Sequence, residues 1–266
     1  MLANLSQLFR YRGLIWSLVA RELKARYRGS VLGFFWSFIN PLLLLGIYSF
    51  IFSTIMPNRA EGLQPYALFL LCGILPWNWF STSLNEAAGS LLAGGNLIKK
   101  VLFPAEVLPI VSVLANMVHF FLALPIVVGV LLAYRHWPDP AGLLWFPVVV
   151  VIQLIFTTGL ALALAALTVH FRDIRDILSN VLTLWFFGTP IIYSYLHLPE
   201  TAKPFMKYMN LNPFVHLAIS YQEILFFEGP FGHWRWLLAL GGVSLILFLG
   251  AYWTFDRLRD SFAEEV

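Results

Sequence analysis

Asn116 and His119 stand three residues apart in a stretch without charge, so on a helix they share one face. An imidazole in such a place could serve as a general base, and an intramembrane acyltransferase using His119 is one chemistry the pair allows. The plainer reading is an interhelical hydrogen bond. No Ser-His-Asp arrangement, no metal-ligand spacing and no paired carboxylates in helical register accompany the histidine in an apolar stretch. His136, His197, His216 and His233 are scattered over what reads as the outer surface and are expected to be solvated. Gly94-Gly95-Asn-Leu-Ile-Lys-Lys lacks the spacing and the hydroxyl of a phosphate loop, and no Gly-x-x-x-x-Gly-Lys-Ser/Thr occurs elsewhere. ATP hydrolysis by the chain alone is therefore not expected. The single cysteine, Cys72, excludes an intrachain disulfide and reads as a packed thiol.

Aromatic residues make up 17% of the chain, with ten Trp, ten Tyr and 24 Phe. Trp77, Trp79, Trp137, Trp145, Trp234 and Trp236 fall near the ends of apolar stretches, where indoles anchor at a membrane interface. Others cluster deeper: Phe34, Phe35, Trp36 and Phe38, then Trp185, Phe186, Phe187, Tyr193 and Tyr195. These are either lipid-facing bulk or rings lining a channel, on which sugar faces could slide without fixed hydrogen bonds.

The elements that must carry these residues follow from composition. Of 266 residues, 59% are hydrophobic and 12% charged, and the mean hydropathy is +0.77. A soluble domain carries about 25% charge, so the natural solvent here is a bilayer. Six long charge-free stretches appear, at roughly 31–56, 63–84, 107–133, 143–169, 177–196 and 236–255. The fold class expected is an all-α membrane protein with six transmembrane helices. Pro41, Pro76, Pro109, Pro125, Pro147 and Pro190 lie in or beside these stretches, which neighbouring helices can accommodate. No Asp, Glu, Lys or Arg sits in the middle of any stretch, which disfavours ion-coupled carriers.

Orientation follows from Lys and Arg. With the N-terminus inside, the cytoplasmic side holds Arg10, Arg12, Arg21, Lys24, Arg26, Arg28, Lys99, Lys100, Arg172, Arg175, Arg257 and Arg259. The outer side holds Arg59, Arg135, Lys203, Lys207 and Arg235, so the balance is 12 against 5 with both termini inside. The pI near 9.0 is thus mostly topology, and no nucleic-acid partner is expected. The first thirty residues contain no uninterrupted apolar core, so no cleavable signal peptide is expected.

Three pieces outside the stretches carry information. In a cytoplasmic N-terminus of residues 1–30, Leu14 to Arg28 reads as an amphipathic interfacial helix. Its apolar arc is Ile15, Trp16, Val19, Leu23 and Tyr27, with Arg21, Lys24 and Arg28 opposite. A transmembrane domain over 31–256 would contain the other two pieces, and 257–266 would form a cytoplasmic tail. Residues 85–106 make a cytoplasmic loop longer than a connector needs, read as a short helix ended by Gly94-Gly95 and a break at Pro104. Residues 198–234 read as two short re-entrant outer helices between spans five and six, because Val215 to Phe227 is apolar but too short to cross.

Arg21-Glu-Leu-Lys-Ala-Arg-Tyr-Arg-Gly-Ser-Val-Leu-Gly33, followed by Phe34-Phe-Trp-Ser-Phe-Ile-Asn-Pro41, resembles the opening of type-2 ABC exporter permeases of the polysaccharide and polyol-phosphate class. Lys99-Lys-Val-Leu-Phe-Pro-Ala-Glu-Val-Leu-Pro109 is similar to their first cytoplasmic loop. His170-Phe-Arg-Asp-Ile-Arg-Asp176 is similar to their second, and Leu211-Asn-Pro-Phe214 to their outer helices. Order and spacing agree along essentially the whole chain.

The resemblance implies the membrane subunit of an exporter for a lipid-linked glycan: O-antigen first, with capsule or teichoic acid as neighbours. It implies a homodimer in the bacterial cytoplasmic membrane, bound to two copies of a separate ATPase that holds the ATP and Mg. This chain would bind no cofactor and no metal and would have no catalytic residue. Coupling to the ATPase would fall to Ser90, Gly94, Gly95, Lys99, Arg172 and Asp173. The outer gate would involve Asn212, Pro213, Phe214 and Tyr221. The channel would be lined by Phe34, Phe38, Trp185, Phe187, Tyr193 and Tyr195. A type-2 permease for a lipid or small amphiphile is the alternative that the same topology would serve.

Overall fold

The computed structural model describes residues 10–55, 63–95, 104–195, 204 and 206–262, without the side chains of residues 34, 52, 53, 206 and 260. The described residues are mostly helical, with no strand among them. The helices are α1 (Arg12–Arg26), α2 (Trp36–Phe50), α3 (Tyr66–Ala93), α4 (Val107–Ala133), α5 (Pro140–Leu143), α6 (Phe146–His170), α7 (Ile174–Phe187), α8 (Met206–Met209), α9 (Pro213–Leu225) and α10 (Trp234–Leu258).

Among the described residues, four helical segments are long and apolar enough to cross a membrane: α3, α4, α10, and α6 together with the α5 turn before it. They match four of the six expected stretches, and α4 begins and ends where the sequence put it. The first and fifth stretches differ. α2 is a 15-residue helix, about 22 Å long, and a wider π turn over Ile51–Ile55 extends it. α7 has 14 residues and is about 21 Å long, short of a 30 Å hydrocarbon layer. It stops at Phe187 because Gly188, Thr189 and Pro190 follow, and Pro190 has no N–H to continue the ladder.

The non-helical segment after α7 carries backbone carbonyls that would be costly to bury unpaired, and side chains reach them. Asn212 Nδ2 donates to the Gly188 carbonyl at 3.2 Å, Gln222 Nε2 to that of Pro190 at 2.7 Å, and the Tyr66 hydroxyl to that of Ile192 at 2.9 Å. Gln153 on α6 treats the Pro76 carbonyl of α3 the same way, at 2.9 Å. A buried glutamine can thus hold a backbone carbonyl inside an apolar bundle at either proline break.

α3 is the hub, packed on α2, α4, α6, α7 and α9 and buried along most of its length. α6 and α10 lie closest together. At Gly159 a Cβ would sit 3.0 Å from the Phe248 Cα, so only hydrogen lets the two backbones approach this far. The outer half of the hub is aromatic. Trp77 packs edge-on to Phe214 at 4.9 Å, and Phe80 stacks on Phe156 at 5.7 Å and meets Trp185 at 5.3 Å. Trp77 and Trp79, expected in an interfacial belt, are instead buried in this core, whereas Trp137, Trp234 and Trp236 are exposed as a belt requires.

α1 is rotated from its expected arc. It rests Leu14, Ile15, Leu18, Val19 and Leu23 on Val107, Val111 and Ala115 of α4 and leaves Trp16 exposed. The expected short helix at 85–93 is the uninterrupted end of α3, which runs to Ala93 and stops at Gly94. α9 is buried on nearly every side by α3, α5, α6 and α10.

Candidate coupling surface and translocation path

The structure brings parts of the two expected loop regions to one cleft of about 610 Å³ between α1, the end of α3, the start of α4 and the start of α7. Its lining includes Ser90 and Gly94 from the first loop and Arg175, Asp176 and Ser179 from the second, with Arg21 and Glu22 of α1 on the rim. The Arg175 guanidinium lies over Gly89, where a Cβ would be 3.7 Å from its Cζ. Gly94 is tightly packed here: a Cβ would push the end of the Leu108 side chain aside and come within 3.1 Å of the Ser90 carbonyl. Gly95 is buried, while Arg172 and Asp173 stand exposed at the turn into α7. Lys99 lies outside the described residues.

The end of the chain closes on this region, which the sequence reading missed. Phe262 is fully buried against Phe255 at 5.1 Å and lies 6.3 Å from the His170 ring. Ser261 Oγ pairs with His170 Nε2 at 3.1 Å, and Arg259 forms an ion pair with the buried Glu106 at 3.7 Å. Residues 259–262 thus lace the end of α6 to the base of α4. The available signal was Phe262, one aromatic residue in a polar tail.

Above the cleft, Arg26, Glu86 and Asn116 form a closed triangle. Arg26 donates to Glu86 Oε1 at 2.7 Å and to Asn116 Oδ1 at 3.1 Å, and Asn116 Nδ2 donates to Glu86 Oε2 at 2.6 Å. One helix turn further along α4, His119 Nδ1 faces the Tyr27 hydroxyl at 3.2 Å and Ser37 Oγ at 3.3 Å, and those two hydroxyls pair with each other. Asn116 and His119 therefore tie α1, α2, α3 and α4 together as interhelical hydrogen bonds. No carboxylate orients the other imidazole nitrogen: Nε2 is buried without a partner among the described residues.

At the other end, Asn212 is the joint between α7 and α9. Its Oδ1 accepts from the Trp185 indole at 2.6 Å and caps Phe214 N at 3.0 Å, while Nδ2 also reaches Thr189 Oγ1 at 3.0 Å. Pro213 opens α9; Phe214 and Tyr221 are fully buried in it. The Tyr195 hydroxyl donates to Asn210 Oδ1 at 2.9 Å, and Tyr193 to the Phe187 carbonyl at 3.2 Å. Of the expected channel rings, Phe187 is exposed, Phe38, Tyr193 and Tyr195 are half-buried, and Trp185 turns toward the α3 core. The Phe34 side chain lies outside the described residues.

Histidines expected to be solvated are paired instead. His216 is buried, stacks on Trp236 at 4.9 Å and meets His233 Nε2 through its Nδ1 at 3.0 Å. Its Nε2 donates to the Asn210 carbonyl at 3.0 Å, so Nδ1 is left as the acceptor for His233. Glu223 accepts from the backbone N–H groups of Gly232 and His233, each at 2.9 Å. His136 stacks on Phe226 at 5.9 Å, and His197 lies outside the described residues.

The sequence profile of the ABC-2 type transporter family matches residues 13–226, from the start of α1 to the end of α9. The chain belongs to the ABC-2 type transporters. Among characterised relatives of this transporter, the O-antigen export system permease protein RfbA of Myxococcus xanthus is 44% identical over the full length of both chains. RfbA of Klebsiella pneumoniae is 33% identical over 98% of this chain and 96% of its own. The polysialic acid transport protein KpsM of Escherichia coli is 23% identical over 76% and 77%. An ABC-2 type transporter of this kind is a membrane-embedded transport subunit. The polar residues joining its helices serve packing, in keeping with a non-enzymatic role.

Proposed function

We propose that this chain is the permease subunit of an ABC exporter that moves a lipid-linked polysaccharide of the O-antigen type across the bacterial cytoplasmic membrane. The observation that carries the reading is the end-to-end likeness to O-antigen export permeases, at 44% identity with no region left over. α2 and α7 complete six spans, with the loops around Gly94 and Arg172 in the cytoplasm and residues 198–234 outside. Two copies share one path, and each seats a separate ATPase on the cleft beneath α1. Ser90, Gly94, Gly95, Lys99, Arg172 and Asp173 transmit its stroke. ATP and Mg belong to that partner.

The exposed stripes of α2 and α7 support a shared path. Leu43, Ile47 and Phe50 line one, and Ile177, Val181, Leu184 and Phe187 the other. Asn180 and Thr183 interrupt the second stripe with exposed polar groups that hydrocarbon would penalise, which favours a polymer or a second copy over lipid at that face. Phe34, Phe38, Phe187, Tyr193 and Tyr195 would give the moving glycan weak, repeated contacts. Trp185, hydrogen-bonded to Asn212, would act on the path by holding the outer joint. Asn212, Pro213, Phe214 and Tyr221 form that gate.

A strain lacking this chain should lose surface glycan and accumulate lipid-linked glycan in the inner leaflet. Both should be restored by the chain together with its ATPase. Normal surface glycan in the deletion strain would overturn the reading and leave export of a lipid or small amphiphile as the alternative.

A further inference from the structure

A second cavity, of about 540 Å³, lies between the α1–α2 turn and the facing sides of α2, α3 and α4. Three polar side chains line it with capacity to spare. Asn78 and Thr82, both half-buried, stand one turn apart on α3, and Asn40, exposed, lies just past the first turn of α2. None of these three makes a side-chain hydrogen bond among the described residues. His119 also lines the cavity, but its Nδ1 is engaged by Tyr27 and Ser37 and its Nε2 is sealed in the core. The three open side chains can therefore hydrogen-bond to a polar group that enters the cavity.

The charge of the cavity narrows the occupant. Its one cation among the described residues, Arg26, is neutralised by Glu86 at 2.7 Å and held by Asn116, so little positive field remains for a phosphate. What remains is neutral: amides that both donate and accept, a hydroxyl and the partly exposed indole of Trp36. Neighbouring hydroxyls on a ring match amide donors and acceptors, and the C–H face of that ring matches an indole.

We infer that this cavity is a binding site for a neutral, hydroxyl-rich sugar unit of the exported glycan, read by Asn40, Asn78 and Thr82. The assignment rests on the exporter reading and adds to it a place where the substrate is recognised, apart from rings along which it slides.

The test uses the purified permease–ATPase complex in lipid nanodiscs, with lipid-linked glycan from the same cells and bare undecaprenyl diphosphate as probes. ATPase stimulation is followed against probe concentration for the native complex and for Asn78→Leu and Thr82→Val, which keep side-chain volume and remove hydrogen bonding. Co-elution of permease with ATPase controls for folding. The glycan concentration for half-stimulation should rise at least fivefold in each variant. In a second measurement, Thr82→Cys in a Cys72→Ala background is labelled with a small methanethiosulfonate. Lipid-linked glycan should slow labelling at least threefold, and bare carrier should not. Unchanged half-stimulation in both variants, or equal protection by bare carrier, would overturn the sugar site and leave the exporter reading standing. A native complex that lipid-linked glycan neither stimulates nor protects would overturn the exporter reading itself.

Discussion

At the scale of single residues, the polar side chains in this bundle are of two kinds. Asn212 satisfies four groups on three segments and leaves none of its own capacity unused. Tyr221 is fully buried among Phe120, Phe146 and the α4 face, and its hydroxyl has no partner among the described residues. Opposite outcomes follow. Asn212→Ala strips partners from the Trp185 indole, the Phe214 N–H and the Gly188 carbonyl, and should cost about 1–3 kcal/mol of stability. Tyr221→Phe removes only an unpaired dipole and should leave stability unchanged or raised. Thermal unfolding of the detergent-solubilised chain reads both, and a Tyr221→Phe loss equal to that of Asn212→Ala would contradict the assignment. The sequence marked Asn212 by its place before Pro213 but gave no hint that its amide spans two helices.

At the scale of elements, α9 is fastened to α10 by the His216–His233 pair, and this fastening titrates. Burial holds both imidazoles below the ordinary 6.5, His233 to about 4 with help from the neighbouring His216. A folded state that resists protonation binds fewer protons than the unfolded chain, so stability falls as pH drops from about 6.5 toward about 4. Above 6.5 the pair contributes no slope. Glu223, raised by burial, acts with the opposite sign, gaining protons in the folded state as pH falls below its shifted value. Melting temperatures at closely spaced pH values should decline through the 6.5-to-4 window, and the decline should flatten in the double variant His216→Gln/His233→Gln. An identical slope in both proteins would place the titration elsewhere.

At the scale of the whole molecule, charge distribution and packing agree on one basic end, which the proposed reading turns toward the cytoplasm. Arg21, Arg26, Arg172, Arg175, Arg257 and Arg259 all gather at the end where α3 stops and α4 starts. Single cysteines at positions 99, 172 and 203, introduced into a Cys72→Ala background and probed with an impermeant thiol reagent in intact cells, should label only at 203. Labelling at 172 without 203 would invert the orientation. The same end brings α1, the end of α3, the start of α7 and the segment 259–262 together, with Glu106–Arg259 and Phe262 fastening that segment.

The four long spans, their order and the concentration of Lys and Arg on one side of them were legible in the sequence alone. A bilayer demands uninterrupted apolar length for any helix that crosses it, and that demand is written residue by residue. Gly188-Thr-Pro190 was equally visible, yet its consequence was not, because whether an apolar stretch can stop being helical depends on who satisfies its carbonyls. Gln222, Asn212 and Tyr66 do so from 24 or more residues away in the chain. The aromatic wealth was legible as a quantity and ambiguous as a role. Hydrocarbon, a neighbouring ring and a pore all accept a phenyl group, so only tertiary packing could send Trp77, Phe80 and Trp185 into one core and leave Phe187 exposed. Polar residues behaved the same way: a buried amide is stable wherever it finds partners, and the fold alone decided that Asn116 finds them while Asn78 faces an open cavity.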